Sequence, residues 1–178
     1  LVLYPGAEYA GEVRTANVGI GPESFLGQEP EMYTYEKGSV QLIKRNAAGN
    51  KGTFGKALLV AGSNGMAGAA ILAAKAAYRT GAGMVKVITA EENRQIIQQG
   101  IPEALYGSCR QLTESLDWAD VIAIGPGIGR EEQALQCLKT VVERSRKPLV
   151  LDADALNLLA EENGRMLAEE LRAQGAEG

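Results

Sequence analysis

Four short apolar runs punctuate the chain: Ala57–Ala61 (ALLVA), Met84–Thr89 (MVKVIT), Asp120–Ile124 (DVIAI) and Pro148–Asp152 (PLVLD). Each is bounded by glycine, proline or charge. The first of them fits a buried parallel strand, and the other three read as further strands. The segments between them read as helices. Ala69–Thr80 is a small-residue helix closed by Gly81-Ala82-Gly83, and Glu91–Gln99 has an acidic first turn that suits the helix dipole. Glu131–Arg144 is amphipathic, with Leu135, Leu138, Val141 and Val142 on its inner side. Ala155–Glu162 opens a further helix, and Glu161–Leu171 continues in helical register after a break expected at Asn163-Gly164. Strands alternating with helices over short connections predict a parallel α/β sheet.

Residues 1–48 follow a different pattern. They hold four of the six tyrosines and many turn formers, among them Pro5-Gly6, Gly19-Ile20-Gly21-Pro22 and Pro30. Leu1–Tyr4 and Glu12–Val18 can form short strands, but no helical apolar stripe is present. This stretch reads as the end of a preceding domain plus a linker, with the α/β domain occupying residues 49–178.

Composition narrows the function classes. The 178 residues carry a net charge of −4, which argues against a nucleic-acid or membrane partner. The basic clusters Lys44-Arg45 and Arg144-Ser145-Arg146-Lys147 read as solvated linker and helix-end charge. No apolar run reaches ~18 residues and no signal peptide is visible, so a cytoplasmic location is expected. Cys109 and Cys137 show neither a short pairing nor a metal-ligand spacing, which is the usage of a reducing compartment. Histidine is absent, which excludes a Ser-His-Asp triad or a His-ligated zinc site within these residues. The chain opens on Leu1 rather than methionine and reads as a piece of a longer protein.

Open parallel sheets bind ligands beyond the carboxyl ends of their strands. Here those ends are Gly62–Gly68, Thr89–Glu91, Gly125–Gly129 and Asp152–Asp154. The glycines of the first segment let backbone approach a ligand, or let a helix pack tightly on the sheet through Ala69, Ala70, Ala73, Ala74 and Ala77. Gly125-Pro126-Gly127-Ile128-Gly129 is a stiffened turn whose Gly127 and Gly129 permit positive φ, again for a ligand or for the turn itself. Asp154 is placed to cap the next helix. Asp152 is the stronger functional candidate, because a charge at the end of a buried strand needs a reason.

Taken in order, Lys51-Gly52-Thr53-Phe54-Gly55-Lys56, Ala61-Gly62-Ser63, Gly65-Met66-Ala67-Gly68-Ala69-Ala70, Gly81-Ala82-Gly83, Pro102-Glu103, Ile124–Gly129 and Leu151–Asn157 resemble the ribokinase-like NAD(P)H-hydrate dehydratases. Leu3–Gly6, Gly11–Val13 and Val18–Ile20 resemble the last strands of the NAD(P)H-hydrate epimerase domain that precedes the dehydratase in bifunctional members. The resemblance implies the first half of a ribokinase-like parallel-sheet α/β sandwich. It also implies removal of water from hydrated NADH or NADPH, driven by ATP or ADP with Mg2+, in a homo-oligomer. The nucleotide phosphorylates the substrate's hydroxyl, and phosphate then leaves to restore the ring. On this resemblance Gly68, Ala69, Gly125 and Gly127 line the hydrated nicotinamide nucleotide, with Asp152 and Asn157 at the pocket's edge and no metal ligand assigned. The family's histidine before the Lys-Gly pair is Asn50 here. The Thr-Pro-His-Pro-Gly-Glu and Gly-Ser-Gly-Asp motifs, the latter with the expected catalytic base, do not occur in these residues, so the segment alone is expected to be inactive. The alternatives are a ribokinase-like small-molecule kinase and a non-catalytic fragment.

Overall fold

The computed structural model describes residues 5–14, 16, 18–28, 45, 47–161 and 164–175. The chain divides into two compact units, Leu1–Lys44 and Arg45–Gly178. In the first, the described residues form one helical turn, α1 (Gly6–Tyr9), and a 3-10 turn at Pro22–Phe25. Tyr9, Val18, Ile20 and Leu26 are all exposed, so this segment encloses no core of its own among the described residues. The described part of 12–18 forms no strand, contrary to the sequence expectation, and Leu1–Tyr4 lies outside the described residues.

The second unit is a five-stranded, all-parallel sheet of order β3-β2-β1-β4-β5. The strands are β1 (Lys56–Val60), β2 (Met84–Ile88), β3 (Leu105–Gly107), β4 (Val121–Ile124) and β5 (Leu149–Leu151). All four apolar runs are therefore strands. The sequence pattern missed β3 and α4 (Leu112–Trp118), because three residues of LYG and seven of LTESLDW carry no readable period.

The helices split between the two faces. On one face, α2 (Ala67–Thr80) and α3 (Arg94–Gly100) cover Ala57, Leu59, Val85 and Val87 with Ala70, Ala74 and Ile97. The alanines of α2 explain that packing, since a helix without bulk on its inner side approaches the sheet closely. On the other face, Leu58, Val60, Ile122 and Ile124 meet α4, α5 (Glu132–Arg144), α6 (Asp154–Ala160) and α7 (Arg165–Ala173). Leu135, Leu138, Val141 and Val142 bury the apolar stripe of α5 as its sequence requires. Leu58, Ile122 and Leu138 are fully buried, and truncating any of them to alanine costs about 2–5 kcal/mol.

Two of the basic clusters resolve differently. Arg146 caps the end of α5 through the carbonyls of Val142 and Ser145, as helix-end charge should. Arg45 is engaged rather than merely solvated. Its guanidinium lies 4.2 Å over the Phe54 ring and donates to the Gly81 carbonyl at 2.6 Å. Among the described residues no helix is long and apolar enough to cross a membrane.

Candidate functional site

In this strand order β1 has β2 on one side and β4 on the other, with β4 reached only after the chain has passed through β2 and β3. The connections out of β1 and β4 run on opposite faces, so a crevice opens between their carboxyl ends. The two glycine loops flank it. The β1–α2 loop and the β4–α5 loop are laced together by backbone hydrogen bonds, Gly62 N–H to the Pro126 carbonyl at 2.9 Å and Ser63 N–H to the Gly127 carbonyl.

Ala69 and Gly127 meet directly. A Cβ on Gly127 would stand 2.8 Å from the Ala69 Cβ and 3.3 Å from the Met66 Cβ, and φ is +64°. Gly125 is buried, and a Cβ there would overlap the Asp152 carbonyl oxygen. This turn thus contacts the start of α2 on one side and the end of β5 on the other. Gly68, in the first turn of α2, has open space where a side chain would be.

Asp152 and Asn157 lie on the same carboxyl side, after β5, and both are exposed. The sequence argument for Asp152 rested on a charge tied to a buried strand end. The structure removes that premise, because the carboxylate reaches solvent. Asp154 departs from its expected capping role. The residue preceding α6 is Ala153, with φ +47° and ψ −117°, and Asp154 is the first residue of the helix. Its Oδ2 instead accepts a hydrogen bond from Gly129 N–H at 3.0 Å, tying α6 to the glycine turn, while Asn157 Nδ2 lies 3.5 Å from Oδ1. A non-glycine residue at such φ, ψ is strained by about 1–3 kcal/mol, so the surroundings hold it there.

Sequence reasoning missed Thr89 and Asn93, which hold the β1–α2 loop from below. Thr89 Oγ1 donates to the Gly62 carbonyl at 2.6 Å. Asn93 Nδ2 donates to the Ser63 carbonyl at 2.9 Å and to Thr89 Oγ1 at 3.0 Å. Both side chains are almost fully buried. Thr89 shows in the sequence only as polarity at the end of β2, and Asn93, in the 3-10 turn Glu91–Asn93, leaves no trace of its own.

The family motifs fall into two groups. Gly62–Ala70, Ile124–Gly129 and Leu151–Asn157 converge on the crevice. Lys51–Lys56, Gly81–Gly83 and Pro102-Glu103 lie at the amino ends of the strands, where Gly83 N–H donates to the carbonyls of Phe54 and Gly55 and Tyr78 Oη to that of Glu103. That second group is scaffold.

The profile of NAD(P)H-hydrate dehydratases matches residues 57–173, which takes in every element of the sheet and both glycine loops. The chain belongs to the NAD(P)H-hydrate dehydratase family. It is 42% identical over 146 residues to the bifunctional NAD(P)H-hydrate repair enzyme of Escherichia coli K12, a match covering 79% of this chain and 28% of that protein. Among solved structures, a ribokinase-like superfamily protein of Enterococcus faecalis V583 superposes with a TM-score of 0.64 at 33% identity, over 68% of this chain and 45% of that one. The ADP/ATP-dependent NAD(P)H-hydrate dehydratase of Bacillus subtilis, co-crystallised with ATP/Mg2+, gives a TM-score of 0.56 at 38% identity, over 64% of this chain and 42% of that one. The chain thus spans less than half the length of these relatives. The sheet described here is the ribokinase-like α/β fold.

Proposed function

We propose that this chain forms the glycine-lined wall of a site at which hydrated NADH or NADPH is dehydrated, with ATP or ADP as the driving nucleotide. The observation that carries the reading is the contact of Ala69 with Gly127 at the β1/β4 crevice, in a chain of the dehydratase family. Gly68 and Ala69 leave little bulk between the first turn of α2 and a ligand, and the positive end of that helix suits a phosphate-bearing molecule. Gly125 and Gly127 shape the opposite wall, and Asp152 and Asn157 offer a carboxylate and an amide at its edge. Transfer of a phosphoryl group to the substrate's hydroxyl converts a poor leaving group into phosphate, whose departure restores the nicotinamide ring.

Mg2+ would accompany the nucleotide, held through its phosphates and one or two carboxylates, and no residue of this chain is assigned to it. The reading extends to the rest of the molecule. Residues 1–48 form the end of an epimerase-like domain and its linker, and the protein acts in the cytoplasm as a homo-oligomer without nucleic-acid or membrane partners.

The test is nucleotide-dependent recovery of the reduced-nicotinamide absorbance from hydrated NADH by the intact protein carrying residues 1–178. Recovery with ATP or ADP is expected. Gly127→Leu should raise the apparent substrate constant at least tenfold, a loss of about 1.4 kcal/mol. A folded protein that gives no recovery with either nucleotide, but phosphorylates a small alcohol, would instead be a kinase of the same fold.

A further inference from the structure

The two cysteines, 28 positions apart in the sequence, are neighbours in the fold. Cys109 opens the 3-10 turn Cys109–Gln111 that leads into α4, and Cys137 lies on the buried side of α5. Both line one cavity of about 170 Å³, roofed by Gly62, Ser63 and Asn64 and walled by Ile128 and Ala134. Cys137 is buried in the core beneath it, and Cys109 packs on that core while keeping access to solvent.

We infer that Cys109 and Cys137 form a peroxide-reactive dithiol, with Cys109 as the attacking thiol and Cys137 as the resolving one. Cys109 is the accessible partner and is primed for attack. The Cys137 thiol, acting as a donor toward its sulfur, brings it down to about 7, against the opposing effect of burial, with help from the Cys109 backbone N–H. Cys137 is pushed up by serving as that donor, by burial and by the charge beside it. The other titratable groups lining the cavity are Glu92 and Glu131, and Tyr106 on β3, three residues before Cys109, lies close by with Arg94 over its ring.

The chemistry closes on these two residues and a hydroperoxide. The Cys109 thiolate attacks the terminal peroxide oxygen, an S–O bond forms and the O–O bond breaks, and the alkoxide or hydroxide leaves with a proton from solvent. Cys109 is then a neutral sulfenic acid, which removes both the acceptor and the charge that held the Cys137 proton. Cys137 deprotonates and attacks the sulfenic sulfur, the S–S bond forms and hydroxide departs as water. Two thiols are oxidised by two electrons, and the peroxide is reduced to water and an alcohol, or to water alone for hydrogen peroxide. The product staples the start of α4 to α5, directly under the β1–α2 loop.

The test needs no turnover assay and is independent of the dehydratase reading. The reduced intact protein is treated with stoichiometric hydrogen peroxide at neutral pH, quenched with an alkylating reagent and mapped by mass spectrometry without reduction. The expected product is an intramolecular Cys109–Cys137 disulfide. Cys109 passing to sulfinic acid while Cys137 remains alkylatable after denaturation would overturn the inference. In parallel, the alkylation rate of Cys109 against pH should show a midpoint near 7. Cys137→Ala should move that midpoint up by more than one pH unit and lower the rate at neutral pH several-fold, after allowing for the greater nucleophilicity of a more basic thiolate. Cys137→Ser, which keeps a donor, should restore most of the shift, with circular dichroism confirming the fold of each variant. A midpoint indifferent to Cys137 would show that the thiols do not communicate.

Discussion

Gly127→Ala isolates the closest approach in the site. At φ +64° alanine carries about 1–2 kcal/mol of backbone strain. Its new methyl would stand 2.8 Å from the Ala69 Cβ, well inside the ~3.5–4.0 Å of a relaxed carbon–carbon contact. Forcing the start of α2 away from the β4–α5 turn adds about 1–3 kcal/mol. The single substitution should therefore destabilise by about 2–5 kcal/mol in a urea titration of the intact protein. Ala69→Gly removes the obstructing methyl and costs up to about 1 kcal/mol alone, through helix propensity. In the double variant the closest clash disappears while the backbone strain and the 3.3 Å approach to the Met66 Cβ remain, so it should be more stable than the sum of the singles by about 1–3 kcal/mol. That coupling is the diagnostic quantity, because strain at Gly127 alone predicts none. Additivity within about 0.5 kcal/mol would refute the direct contact, and with it the crevice geometry on which the functional reading stands.

Thr89→Val keeps shape but removes the hydroxyl that donates to the Gly62 carbonyl at 2.6 Å, so it should lower stability by about 1–3 kcal/mol and speed hydrogen exchange at Ser63. An unchanged denaturation midpoint would show that the loop holds itself. Asp154→Asn weakens the bond that Gly129 N–H donates to Oδ2, and a loss of about 1–2 kcal/mol is expected. A denaturation midpoint unchanged from the wild type would show that the turn holds Gly129 without the carboxylate.

The sheet was readable from the chain because its four main strands are predominantly apolar, with Lys86 the one charge in a strand interior, and are set between glycine, proline and charged residues. Residues 101–119 were not readable. β3 is an edge strand of three residues whose Leu105 is exposed, so little selection for an apolar run acts on it. At the site, the glycine turns were visible as spacings, but spacing alone could not tell ligand approach from packing. The structure sets Gly127 against Ala69, where an added Cβ would stand 2.8 Å from the alanine Cβ. Asp154 misled for a definable reason. An aspartate just ahead of an apolar run suits a helix cap, yet the helix starts one residue earlier, with the strained Ala153 at the cap position, and the Asp154 carboxylate goes to Gly129. Thr89 and Asn93 were hidden because their partners are carbonyls of another loop, and the pairing of the two thiols depends on α4, an element the pattern did not show.

The strand order also sets a sequence of events in time. Among the described residues β1 is the first strand of the sheet to be synthesised, yet one of its edges waits for β4. The hydrogen bond from Lys56 N–H to Asp120 Oδ2, which secures the start of that pairing, joins residues 64 apart. At about 5–20 residues per second of translation, that edge stands open for about 3–13 s while β2, α3, β3 and α4 are made. Only β2 can shield β1 in the meantime, and it does so on the side away from the crevice. The crevice between β1 and β4 therefore has no precursor in the nascent chain. It comes into being when β4 docks, so substitutions that slow this late, long-range pairing will reduce the yield of competent protein even where they leave the finished site untouched.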